Sequence, residues 1–207
     1  MDNTKLWHAA SWAAIITILY NIVEGVVSVI FGYSDETLSL FGFGLDSFVE
    51  VISGIGVLHM IISVRKNKDT RDLFERIALR ITGISFYILT AGLIVTSVMS
   101  IINKSHPSTT FRGIIISLIS IFTMIFLLKF KMNIGKKLNS NSIIADANCT
   151  KTCVYLSIIL LISSLLYEVF KIGFIDSIGA LGIAWYAFNE GREAFEKARG
   201  KSCSCCK

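Results

Sequence analysis

Six long, nearly charge-free runs divide this chain and leave it little choice of fold. They cover about residues 6–31, 38–64, 81–102, 113–128, 143–170 and 172–188, the fourth continuing as a basic amphipathic end to 130. A helix crossing the hydrocarbon core of a bilayer needs roughly 20 apolar residues. A spanning segment must also satisfy its own backbone hydrogen bonds, so helices are the economical reading of such runs. Of the 207 residues, 53% are apolar and only 17% charged, against roughly 25% charged in soluble domains. That balance excludes a disordered chain, which lacks apolar mass, and argues against an ordinary soluble domain. With six spans in place, no length remains for an enzyme with separate substrate and cofactor domains. The expected fold is an all-α polytopic bundle over residues 1–195, followed by a short tail over 196–207. Met1–Lys5 is too short and too weakly basic for a cleaved leader, so the first run is read as a span.

The basic residues give the orientation. Arg65, Lys66, Lys68, Arg71, Arg76 and Arg80 lie between the second and third spans. Lys129, Lys131, Lys136 and Lys137 lie between the fourth and fifth. With Lys5 and the C-terminal cations, one side collects sixteen Lys and Arg, and the other three. The positive-inside rule then puts both termini in the cytoplasm. The net charge of +5 is accounted for by topology signals and lipid headgroup contacts, with no need of a nucleic acid.

Asp46-Ser47-Phe48-Val49-Glu50 is the most informative stretch. Its two carboxylates are four residues apart and share a helix face. Each ionised group near the bilayer centre costs on the order of 2.5–3.5 kcal/mol, and two of like sign cost more. A bound divalent metal would satisfy both. A salt bridge to Lys151, or a water-filled packing defect, is the alternative. Small residues flank the pair (Gly42, Gly44, Ser53, Gly54, Gly56) and permit close helix contact under either reading.

The fifth run repeats the spacing with sulfur. Cys149 and Cys153 share a face, and Asp146 lies three residues before Cys149. Such cysteines are either small buried hydrophobes or ligands. Two carboxylates with two thiolates make four donors suited to zinc or cadmium. In a dry site carboxyl and thiol groups favour their neutral, proton-bearing forms. Metal binding needs the deprotonated forms and expels those protons. A site that holds either metal or protons, opened alternately to each side, is a proton–metal antiporter.

Two stretches carry a resemblance to a known family. Ser39-Leu40-Phe41-Gly42-Phe43-Gly44-Leu45-Asp46-Ser47-Phe48-Val49-Glu50 is similar to the helix-two pattern of the cation diffusion facilitators, in which a small-residue segment leads into D-x-x-x-D or H-x-x-x-D. Ile144-Ala145-Asp146-Ala147-Asn148-Cys149-Thr150-Lys151-Thr152-Cys153 is similar to their helix-five pattern A-D-A-x-H-x-x-x-D. Glu50 stands where a second aspartate is usual, and Cys149 and Cys153 replace the histidine and aspartate, which leans the metal choice toward softer ions. The family's histidine-rich linker and its cytoplasmic C-terminal domain are not in this sequence, which looks closer to a short bacterial or archaeal branch. The resemblance implies efflux of zinc or a related divalent cation such as cadmium in exchange for protons, from the cytoplasmic membrane, with Asp46, Glu50, Cys149 and Cys153 holding the ion. No organic cofactor is implied, and a homodimer is admitted. The competing readings are a membrane metal sensor that does not transport and, more distantly, a membrane-embedded enzyme. Against the enzyme stands the absence of a nucleophile–base pair or phosphate loop.

Other polar residues fall around this core. Asn21 is either an extra contact to the site or a helix–helix hydrogen bond. Glu24, inside the first span, faces the pathway or a basic partner. Asp146 is a reserve ligand or supports one. His59, two turns beyond Glu50, is a pathway relay or a packed residue. Asp176 is read as capping the sixth helix. Cys203, Cys205 and Cys206 crowd the tail, where reduced thiols bind soft metal well. They capture ions there, or form an end without a role, or carry lipid.

Overall fold

The computed structural model describes the backbone of residues 3–66, 71–104, 107–138 and 141–199. Six α-helices run through it: α1 (Asn3–Ser34), α2 (Leu38–Lys66), α3 (Arg71–Asn103), α4 (Phe111–Lys137), α5 (Asn141–Phe170) and α6 (Phe174–Ala198). The described residues contain no strand. Helices α1 to α5 each contain a stretch long and apolar enough to cross a bilayer. The last, α6, has 25 residues, or about 38 Å at 1.5 Å per residue. Its final third carries Glu190, Arg192, Glu193 and Glu196.

Several helices outrun the charge-free segments. The sixth was expected to stop near residue 188 and continues to Ala198, while α3 begins at Arg71 rather than near 81. The reason is physical. Charge marks where hydrocarbon ends, whereas a helix ends where its backbone loses partners or meets a breaker. The polar end of α6 propagates with helix formers and an Arg192–Glu196 contact at 3.8 Å, one turn apart. Such a pair suits a helix surface.

Helix α2 is the hub, in contact with α1, α3, α5 and α6. The main core joins Leu40 and Phe43 of α2, Phe86 and Leu89 of α3, Leu156 and Leu160 of α5, and Ile183 and Ala184 of α6. In lipid the hydrophobic effect does not drive helices together, so close fit must. Glycine provides it between α1 and α2: a Cβ at Gly44 would lie 2.8 Å from the backbone nitrogen of Val29. The opposite face of α1 presents Trp12, Ile16, Leu19, Val23, Val26 and Ile30, all exposed. Spacings of three and four put them on one stripe, as a lipid-facing surface requires.

One end of the bundle is tied by carboxylates. Asp35 accepts from Arg112 at 2.8 Å, and Glu168 accepts from the backbone of Thr110 at 2.8 Å, at the start of α4. Asp176 does sit in the first turn of α6, but its carboxylate caps a different helix. It accepts from the backbone N–H of Leu38 at 2.6 Å and of Ser39 at 3.3 Å, and from the Ser39 hydroxyl. Spare N–H groups at a helix start need such acceptors, and here they come from across the bundle. Asp176→Ala is expected to lower stability by about 1–3 kcal/mol, since it leaves those donors buried and unsatisfied. The check is the thermal midpoint in detergent; an unchanged midpoint would show that the cross-cap contributes nothing.

Candidate metal site

Glu50 is the node of the site. Its Oε2 accepts from the Asn21 side-chain nitrogen of α1 at 3.0 Å. Its Oε1 accepts from the Cys153 thiol of α5 at 2.5 Å. The structure therefore brings the second acid of α2 and the second thiol of the helix-five motif into direct contact, with α1 as a third contributor. Asp46, one turn earlier on α2, is 2% exposed, and its Oδ1 has no hydrogen-bond partner among the described residues. A buried polar atom without a partner is rare, and here it sits on the face the spacing singled out.

Beside Glu50 lies a cavity of roughly 60 Å³, bordered by Thr17, Asn21, Glu50, Gly54, Lys131, Thr150, Thr152, Cys153 and Glu190, with Leu79, Thr82 and Phe86 of α3 and Ala194 closing it. That is room for more than one water, each of which needs roughly 10–15 Å³ of such space. Its lining comes from all six helices.

Two charged lining residues were not singled out by the sequence as site residues. Lys131, counted there as a topology signal between spans, is 1% exposed and donates to the Thr150 hydroxyl at 3.0 Å. Glu190 accepts from Thr152 at 3.1 Å and lies near enough to Asp46 and Glu50 to repel both. Glu190 falls beyond the expected end of the sixth span, and Lys131 belongs to a run of cations. Met124, Leu127 and Ile134 stand seven and four residues before Lys131 and three after it, on one helix face, but only the structure shows that this face is buried.

The remaining candidates separate. Lys151, the proposed salt-bridge partner of the acid pair, is exposed with its ammonium 5.6 Å from the centre of the Tyr155 ring. It does not border the cavity. Glu24 is buried among hydroxyls: Ser47 donates to its Oε2 at 3.1 Å, and Tyr20 and Ser120 face the same carboxyl. His59 is exposed and lies off the cavity. The side chains of Asp146 and Cys149 lie outside the described residues, as do Cys203, Cys205 and Cys206. Among the described residues, no three His, Cys, Asp or Glu side chains gather tightly enough to hold an ion. The described part of the site is thus the Glu50–Cys153 contact, with Asn21 beside it and Asp46 a turn away.

Residues 13–199 match the cation efflux transmembrane domain. An uncharacterised transporter of Methanocaldococcus jannaschii is 25% identical over 175 residues, covering 82% of this chain and 62% of that protein. The manganese efflux system protein MneP of Bacillus subtilis is 27% identical over 139 residues, covering 65% of this chain and 46% of that protein. The chain thus spans less than two thirds of the length of these relatives. Since the family match takes in nearly all of the helical bundle, the chain belongs to the cation efflux family, the cation diffusion facilitators, and is a polytopic membrane protein of a transporter family.

Proposed function

We propose that this protein moves a divalent metal cation, with zinc as the preferred cargo, out of the cytoplasm in exchange for protons. Asp46, Glu50, Cys149 and Cys153 hold the ion, with Asp146 in support. The observation that carries this reading is the Cys153 thiol donating to Glu50 across the α2–α5 contact. Sulfur binds metal as thiolate, so an ion taken up there must displace the shared proton. Metal and proton are then alternative occupants of one place, which is the requirement for exchange. Sulfur favours zinc or cadmium over harder ions. The efflux of manganese by the Bacillus relative gives manganese as the second reading.

Proteoliposomes test it, with zinc and cadmium uptake followed under a proton gradient for wild type and Asp46→Ala. Uptake that needs both the gradient and Asp46 is the expected result. Metal bound without uptake of either ion would instead make the protein a membrane metal sensor.

A further inference from the structure

Taking that site as the transport site, we infer that Asn21 of α1 is a direct oxygen ligand for the harder cargo ions and sets the balance between manganese and zinc. Asn21 is 1% exposed in the middle of a lipid-facing helix. Its amide nitrogen is committed to Glu50 at 3.0 Å. A carboxylate can only accept, which fixes the nitrogen of the amide on that side. The amide oxygen is left over. It is buried, has no hydrogen-bond partner among the described residues, and belongs to a residue bordering the same cavity as Glu50 and Cys153.

Ligand chemistry says which ion this oxygen serves. Zinc in a protein site is almost always four-coordinate and prefers nitrogen and sulfur. The two acids and two thiols already meet that number. Manganese takes up to six donors and favours carboxylate, carbonyl and water oxygens. A neutral carbonyl oxygen added by α1 therefore benefits manganese and is dispensable for zinc. The same amide holds Glu50 in place for either ion, so an effect common to both metals would signal positioning alone. An effect on their ratio signals ligation.

The experiment measures binding of Mn²⁺ and Zn²⁺ to the purified full chain in detergent, with bound Mn²⁺ read by its electron paramagnetic resonance, and then flux of both ions. Asn21→Leu keeps the volume and removes the oxygen. Because it also removes the nitrogen that holds Glu50, it is expected to weaken both ions by about 10–100-fold, the range seen when a supporting group of a metal site is lost, and to weaken manganese at least about tenfold more than zinc. Asn21→Asp keeps an oxygen but loses the amide donor and sets a second acid beside Glu50, so both affinities are expected to shift while the manganese-to-zinc ratio is retained or rises. Equal losses for both ions in Asn21→Leu, or no change in either, would overturn the assignment. If Asn21→Leu does not fold, a fall in the manganese-to-zinc ratio of Asn21→Asp overturns it instead. Glu50→Gln separates the two levels. Both ions still bound in that variant refutes the site itself, whereas loss of both with an unchanged ratio in Asn21→Leu refutes only the role of Asn21.

Discussion

Glu50→Gln is expected to remove transport almost entirely while leaving the fold intact. Losing a group that merely supports a metal ligand costs about 10–100-fold in affinity, so losing the carboxylate at the node is expected to cost at least about 100-fold for zinc. Calorimetry on the detergent-solubilised protein measures the affinity, and proteoliposome flux is expected to fall to background. Stability follows the opposite course. Glu50 is held in a bilayer-embedded site beside Asp46, Glu24 and Glu190, all of which repel it. A neutral amide removes that repulsion and still offers an acceptor to Asn21 or Cys153. The thermal midpoint is therefore expected to stay level or rise, as when a strained functional group is relaxed. Zinc bound as tightly as in wild type would remove Glu50 from the site. Collapse of the midpoint would make it a structural residue.

Gly32→Ala is expected to damage the fold directly and the chemistry only through it. A Cβ there would lie 2.5 Å from the backbone nitrogen of Phe41 and 2.7 Å from its Cα. Neither atom belongs to a side chain that can swing away, so α1 and α2 must separate. Overpacking of this kind costs about 1–3 kcal/mol, occasionally more. Gly92 on α3 is the control, because a Cβ there meets nothing within 4 Å. Gly92→Ala is expected to be neutral or to gain up to about 1 kcal/mol from helix propensity. Thermal midpoints of the two variants in one detergent decide the matter, and coincident midpoints would refute the close-packing account. Gly32→Ala is also expected to weaken metal binding, because α1 carries Asn21 to Glu50.

These two positions mark how far the sequence could be read. The pair Asp46 and Glu50 was visible because four-residue spacing is a local rule and buried acids stand out in an apolar run. The contact of Glu50 with Cys153 was legible only as two separate motifs with matching spacing. Asn21 was noticed as polar within a span, but nothing local distinguished a site contact from an ordinary helix–helix bond. Lys131 was misplaced because it sits among four cations that follow one another closely, and a count by position cannot tell which of them turns inward. Asp176 was placed correctly in the first turn of α6, yet its carboxylate serves α2, 137 and 138 residues away in sequence.

By itself the sequence determined the membrane character, the apolar segments that become helices and the face shared by the acid pair. Each of these is a property of one segment: its partition into hydrocarbon, or the 3.6-residue period of its own helix. Only the tertiary structure decided which residues meet. Asn21 reaches Glu50 over 29 residues, and Cys153 reaches it over 103. Those meetings depend on the rotation and height of each helix against its neighbours. Close contacts such as those at Gly32 and Gly44 fix both quantities, and a single helix read alone contains neither.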